Sequence, residues 1–328
     1  TIRLAANGKK KRRSVRRVLA NIDAYTEKLL VMLRTDSFIP SKPKVKRVYD
    51  VSSRKWRDIK VVPFYPDGCV HWLCVRAMQP VLMRGMHHWS CASIPGRGGA
   101  RAMRQITRMV QRRPKDSKYC AQMDVRKFYD SIPPDGIRRA LKRKIKDKRF
   151  VNLVMRIIAD GLAIGYYICQ WLANYYLETL DRVLCSCKGV VCEVRYMDNV
   201  TIFGRSKRAL HKAVKAAEQH LQTLGLTLKN DWQVYPIRKR KVDAVGYKFG
   251  RNVVVLRKRS LLRTLRQFRR AAKRERVSAK MAQALLSRLG RLKWCASKTI
   301  MVKYVRPVGV RNLKGVIRIE SARRCQTA

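Results

Sequence analysis

The spacing of hydrophobic positions changes several times along the chain, and each change predicts a new element. Residues 21–35 set Ile22, Tyr25, Leu29, Leu30 and Leu33 along one helical face. Residues 38–65 are broken by Pro40, Pro43 and Pro63, and the β-branched stretches 45–48 and 59–62 predict two short strands. Helical spacing returns from 69 to 86. Pro95-Gly96-Arg97-Gly98-Gly99 then reads as a loop opening a helix through Ala100, Met103 and Val110. A short strand over 119–125 leads to helices at 134–146 and 150–159 and to one long helix from about 168 to 184. Residues 190–195 and 200–204 are apolar strands around a tight tip at 196–199, which is a hairpin pattern. Leu210, Val214, Ala217 and Leu221 give the helix over 206–224 its apolar face. Strand-like pieces follow as far as Val245-Gly246-Tyr247-Lys248-Phe249. Basic helices close the chain, one marked by Leu261, Leu265 and Phe268 and another by Met281, Leu285, Leu289 and Leu292. The pattern is α+β, without internal repeats.

Charge changes the picture. The 328 residues hold 76 Lys plus Arg against 21 Asp plus Glu, a formal charge of +55. Such a chain repels itself unless a polyanion lies beside it, and phosphate backbones bind such proteins largely through counterion release. An anionic membrane surface calls for a basic amphipathic segment at one end. Here the excess runs the whole length, so nucleic acid is the expected partner and a membrane is not. The run Lys9 to Arg13, with Arg16 and Arg17, is either a solvated tail or an arm that grips phosphates. Hydrophobic residues make up 46%, enough for real cores. No apolar run approaches the roughly 20 residues of a membrane span. Ten cysteines form no CxxC pair, and Cys185-Ser186-Cys187 lacks a matching second half, so spacing gives no zinc motif. A reducing, cytoplasmic setting is expected. His71, His87, His88, His211 and His220 read as surface or packing residues.

Two segments carry the candidate chemistry. Met123-Asp124-Val125 ends a strand, and Tyr196-Met197-Asp198-Asn199 is a hairpin tip between apolar strands. An aspartate among so many apolar neighbours is expensive unless it is solvated or binds a cation. Phosphoryl transfer uses carboxylates on adjacent strands to hold two Mg²⁺ ions roughly 4 Å apart. Asp124 and Asp198 suit that role. The alternative for each is a turn cap.

In these segments the chain resembles the reverse transcriptases. Asp124 to Tyr129 resembles their motif A, residues 162–174 (Ile164-Gly165 followed by Cys169-Gln170) resemble motif B, and Tyr196 to Asn199 resembles the Tyr-x-Asp-Asp box of motif C. Val245-Gly246-Tyr247 resembles the turn that grips the primer end, and Ser93 to Gly98 resembles the fingers motif near the incoming nucleotide. Order and spacing agree from about residue 45 to 250. The Ile-Gly-x-x-x-Cys-Gln form is similar to that of diversity-generating retroelements and of related phage and prophage enzymes, some linked with antiviral defence.

The resemblance implies an α+β right-hand polymerase: a basic arm and helix over 1–40, fingers over 41–118, a palm with a small antiparallel sheet over 119–250 (helical insertion about 134–160), and a basic helical thumb and tail over 251–328. It implies DNA synthesis from deoxynucleoside triphosphates on a structured RNA template, through an RNA–DNA hybrid, with two Mg²⁺ ions or Mn²⁺ in their place. Asp124, the Val125 carbonyl, Asp198 and Asn199 would hold the metal. Arg57, Arg97, Tyr129, Ile164, Gly165 and Gln170 would line the nucleotide site, with Tyr129 under the sugar and Ile164 loosening base checking. Gly246 and Tyr247 would grip the primer, and Arg263, Arg266, Arg270 and Lys273 would track the duplex. A structured non-coding RNA and a basic accessory protein are further implied partners. The rival reading is a defence enzyme making untemplated or repetitive DNA, or a silent RNA-binding relic. Two positions depart from the family. Asn199 stands where a second carboxylate is usual, and Trp232 stands where a lysine able to protonate pyrophosphate is common, with Lys229 as its candidate substitute.

Overall fold

A computed structural model describes residues 1–50 and 55–326, which divide into two compact units, Thr1–Ala102 with Tyr119–Val234 and Met103–Lys118 with Tyr235–Ala328. The architecture is the expected mixture of helices and small antiparallel sheets.

In the first unit, α1 (Ile2–Ala5), α2 (Arg13–Ala20) and α3 (Ile22–Arg34) precede an antiparallel hairpin of β1 (Lys44–Asp50) and β2 (Lys55–Val61). The basic arm is therefore folded. Ile2, Ala5, Val15 and Val18 are buried, while Lys10 to Arg13, Arg16 and Arg17 stay on the surface. Helix α4 (Cys69–Met83) follows, and α5 (Gly99–Thr107) begins beyond the glycine-rich loop. The chemistry-bearing sheet has the order β4-β5-β3-β6, from β3 (Tyr119–Asp124), β4 (Val190–Tyr196), β5 (Asn199–Gly204) and the short β6 (Gln233–Pro236). Apolar residues of β3 and β5 and the inward face of α11 (Lys207–Thr223) fill one side of the core. Helices α6 (Phe128–Ser131), α7 (Pro134–Lys144) and α8 (Lys148–Ile157) lie between β3 and the motif B region.

The long helix expected over 168–184 is two helices, α9 (Tyr167–Tyr176) and α10 (Glu178–Ser186), which meet at the non-helical Leu177. Periodicity cannot register such a break, because both halves are apolar. The break lets Asn174 of α9 and Asp181 of α10 converge on one buried arginine of β4.

The second unit holds an antiparallel sheet of β7 (Val242–Ala244), β8 (Tyr247–Phe249) and β9 (Val254–Leu256). With it come α12 (Lys258–Ala272), α13 (Ala279–Leu292), the short α14 (Lys298–Ile300) and α15 (Val310–Gln326), α13 packing against both α12 and α15. Met103–Lys118 belongs here because Arg251 donates to the Val110 carbonyl at 2.7 Å, to Ser117 Oγ at 2.9 Å and to the Ser117 carbonyl at 2.7 Å. The compact units thus draw their boundaries differently from the sequence-based limits at 118 and 250. No helix of the described residues is long and apolar enough to cross a membrane.

Candidate active site

Strand β3 runs antiparallel to β5 with Met123 opposite Val200 and Asp124 opposite Asn199, so the polar end of the ladder falls where the apolar run stops. Between β4 and β5 the turn has only two residues, Met197 and Asp198, since Tyr196 pairs with Asn199. Met197 has φ +60°. A two-residue hairpin turn with positive φ at its first position usually holds glycine there, and a larger side chain is strained. A buried arginine holds the strained tip. Arg195 of β4 is fully buried; its guanidinium donates to the Met197 carbonyl at 3.0 Å, to both Asp181 oxygens at 2.5 and 2.8 Å, and to Asn174 Oδ1 at 3.1 Å. Asn174 in turn donates to the Ala92 carbonyl at 2.9 Å. Burial disfavours the charged guanidinium, but Asp181 more than offsets it.

That arrangement brings Asp198 against Asp124. Burial, with the Asp124 carboxyl next in effect, pushes the Asp198 carboxyl up from 3.8 to about 6. Asn199 Nδ2 donates to Asp198 Oδ1 at 3.2 Å. Asp124 Oδ2 is ion-paired with Lys229 Nζ, and the Lys229 amide donates to the Asp124 carbonyl at 2.9 Å. Asp124 Oδ1 is buried without a hydrogen-bond partner. A crowded carboxylate pair with one orphaned oxygen fits a divalent cation, whose charge would relieve the repulsion and satisfy the orphaned acceptor. Val125 is buried beside the pair and bridges Leu228.

Lys229 therefore stands at the carboxylates, while Trp232 turns away to meet His211 edge-on, with ring centroids 5.6 Å apart. The Tyr129 hydroxyl lies 3.8 Å from Met197 Sδ, and burial holds its phenol above the usual range. Ile164 and Gly165 form a turn before α9, with Gly165 at φ +114°. The Lys60 amide donates to the Ile164 carbonyl at 2.9 Å, and a Cβ on Gly165 would lie 2.3 Å from the Lys60 carbonyl oxygen. The close backbone approach at this glycine is thus made by strand β2 of the chain itself. Cys169 is buried in the first turn of α9, with Gln170 half-buried beside it.

The two arginines expected at the nucleotide site differ in setting. Arg57 is exposed on β2, with Nε 3.2 Å from Asp50. Arg97 is half-buried and donates through Nη1 to the His87 carbonyl at 2.6 Å and the Ser90 carbonyl at 3.0 Å. In the second unit Gly246 has φ +89° with open space around it, and its carbonyl accepts from the Arg257 amide at 3.1 Å. Tyr247 is buried, and its hydroxyl donates to the Arg291 carbonyl at 2.9 Å. Arg263, Arg266, Arg270 and Lys273 are exposed along one side of α12 and at its C-cap.

Sequence reading missed the Arg195–Asp181–Asn174 network. Its one signal was an arginine inside an apolar strand, two residues before the tip.

A family model described as "Reverse transcriptase (RNA-dependent DNA polymerase)" matches residues 42–249. No curated protein matches the chain. Among solved structures, apo telomerase from Candida tropicalis aligns at 12% identity and a TM-score of 0.50, over 76% of this chain and 51% of that one. A form truncated from its C-terminal domain gives 13% identity and 0.47, over 66% and 55%. Telomerase from Candida albicans with a fragment of telomeric RNA gives 10% and 0.49, over 82% and 55%. The chain spans about half the length of these structures, and the likeness is one of fold.

Proposed function

Because the chain belongs to the reverse transcriptase family, whose fold its helices and small antiparallel sheets match, we propose that it copies RNA into DNA from deoxynucleoside triphosphates. The reading rests above all on one observation, the meeting of Asp124 and Asp198 with a buried, unpartnered oxygen and Lys229 alongside. The family generally uses divalent metals, and Asp124, the Val125 carbonyl, Asp198 and the Asn199 amide would hold two Mg²⁺ ions, with Mn²⁺ able to replace them. Bound there, the metals supply Lewis acidity toward a primer hydroxyl and the triphosphate. Lys229 is a cation at the edge of the pair, suited to neutralise or protonate departing pyrophosphate. Tyr129, kept neutral by burial, would stack beneath the sugar and exclude a ribose 2′-hydroxyl. Arg57 would reach the triphosphate. Arg97 orders its own loop through two backbone carbonyls.

The finer reading is error-prone synthesis of the diversity-generating type, on a structured non-coding RNA and with a basic accessory protein. It rests on Ile164, an aliphatic residue held by β2 at the motif B turn, where a glutamine would contact the nucleotide. Extension of a primer on an RNA template with Mg²⁺ tests the activity. Synthesis abolished by Asp124→Ala is the expected result, and none with Mg²⁺ or Mn²⁺ would leave an RNA-binding relic. Sequencing the products tests the finer reading. Scattered errors, chiefly at template adenines, support it; repetitive or untemplated DNA supports the defence alternative.

A further inference from the structure

A second cluster of metal-ligating side chains lies outside the Asp124–Asp198 centre. His87 follows α4, Cys185 sits in the last turn of α10, and Glu193 lies on β4 two residues before Arg195. Their donor atoms all fall within 4.8 Å of one another. His87 Nδ1 is 2.7 Å from Glu193 Oε2, and His87 Nε2 is 3.5 Å from Cys185 Sγ.

Electrostatics makes the cluster unusual. The Glu193 side chain is fully buried, yet neither of its oxygens, nor His87 Nδ1, has an aligned hydrogen bond. The 2.7 Å contact is an ion pair when His87 is protonated, and it falls outside hydrogen-bond alignment. Arg195, the nearest fixed cation on the same strand, is taken up by Asp181, Asn174 and the Met197 carbonyl. A fully buried carboxylate whose one close counter-charge is a half-buried imidazole, with no aligned hydrogen bond, is costly to keep ionised.

We propose that His87, Cys185 and Glu193 bind one zinc-class divalent cation. An imidazole nitrogen, a thiolate and a carboxylate suit zinc and its neighbours, whereas Mg²⁺ prefers an all-oxygen shell. One thiolate and one carboxylate cancel the charge of a divalent ion, which resolves the burial of Glu193. Tetrahedral zinc, with bonds of about 2.0–2.3 Å, spaces its donors roughly 3.2–3.8 Å apart. Glu193 faces His87 Nδ1 and Cys185 faces Nε2, so sharing one ion requires the imidazole to present a single nitrogen to both, with Glu193 drawing back from its 2.7 Å contact and the exposed Cys185 moving in. Three protein donors leave the fourth position to water on the Cys185 side.

The cation would tie together α10, β4 and the segment after α4. That segment already hydrogen-bonds to the strand, the Cys91 amide donating to the Arg195 carbonyl at 2.8 Å and the Arg195 amide to the Trp89 carbonyl at 3.1 Å. His87 also offers its carbonyl to Arg97. The site would be a staple behind the hairpin that carries Asp198, and no spacing rule finds it, because its donors come from three separate segments.

The test uses the full chain, stripped with chelator and reloaded. Mass-spectrometric metal analysis should find one zinc per chain. Cobalt(II) should give a thiolate-to-metal band in the near ultraviolet with intense tetrahedral bands in the visible. Cys185→Ser and His87→Ala should abolish both signals, while Cys187→Ser and Asp198→Asn keep them. Zinc should raise the melting temperature of the parent chain by several degrees and leave that of Cys185→Ser unchanged; Cys185 is exposed, so its serine variant folds. Absence of the cobalt–thiolate band, its survival in Cys185→Ser, or its loss in Cys187→Ser would overturn the proposal. All these readouts are independent of DNA synthesis.

Discussion

Asp124 on β3 and Asn199 on β5 are direct partners in the antiparallel ladder, and Asn199 also donates from Nδ2 to Asp198. An amide thus stands where the charge of a third carboxylate would fall. It contributes a donor that steadies Asp198, and its amide oxygen can touch a cation but brings no charge. Asn199→Asp exchanges that hydrogen bond for a charge. Half-saturating Mg²⁺ in primer extension should fall several-fold, because cation affinity follows ligand charge. In chelator the same variant should melt earlier, by about 1 kcal/mol of stability, since like charges then sit uncompensated across the ladder. An unchanged Mg²⁺ requirement would mean that Asn199 lies outside the coordination shell.

Asp198 supplies a pH signature. Its carboxyl titrates near 6 in the folded chain against 3.8 for the free side chain, so the folded state holds that proton more tightly than the unfolded state. The stabilisation is complete below about 4 and is lost as pH rises through about 6. Asp198→Asn removes a buried charge and its repulsion from Asp124 and should raise stability in chelator at pH 7.5, by about 3 kcal/mol on the scale of roughly 1.36 per unit. At about pH 4 the variant should melt with the parent. DNA synthesis should disappear in the same variant, a separation of stability from activity that thermal melts and extension assays read together. Equal melting of variant and parent at about pH 7.5 would show that the two carboxyls do not interact.

What the sequence disclosed, and what it withheld, follows from the reach of each signal. The β4–β5 hairpin, the helix of Leu210 to Leu221 and the strand ending at Asp124 were legible because period and turn chemistry are local. Asp124 and Asp198 were legible together because both contexts, and their likeness to motifs A and C, point to one metal pair, whereas either alone reads as well as a turn cap. The break at Leu177 was not, since helical periodicity continues through it. Nothing local places Lys229 at the carboxylates. Its position depends on the Lys229 amide joining β3 at Asp124, a partner 105 residues away in sequence. Gly165 by its type makes room for something close; the oxygen that crowds it belongs to Lys60 and not to a ligand. Pairings between distant segments leave no periodic trace.

Arg195 carries the support of the tip. Removing it strands Asp181 in a fully buried position, which costs about 3–5 kcal/mol when one partner of a buried pair is removed. Arg195→Met should be destabilised by that order. Arg195→Met with Asp181→Leu should recover most of the stability, because an apolar pair of similar volume fills the same space. Activity should not recover, since nothing then holds the Met197 carbonyl and the strained turn relaxes. A denaturation series on the single and double variants measures the coupling. Recovery of synthesis together with stability would show that the arginine matters for folding alone.

Helix α12 turns Thr264, Phe268 and Ala271 inward and exposes Arg263, Arg266 and Arg270 on the other side, with Lys273 at its end. Replacing these four by serine leaves the buried face untouched, so the melting temperature should stay within about a degree or two of the parent. If they neutralise phosphates, each cation removed lowers the slope of log affinity against log salt by roughly 0.7–0.9. The quadruple variant should therefore bind primer–template more weakly at low salt, with a slope shallower by up to about three units. KM for the duplex should rise while kcat holds, if the four act as phosphate contacts and not as catalytic groups. Fluorescence anisotropy across a salt series reads the slope directly, and a slope equal to the parent's would take α12 off the nucleic acid.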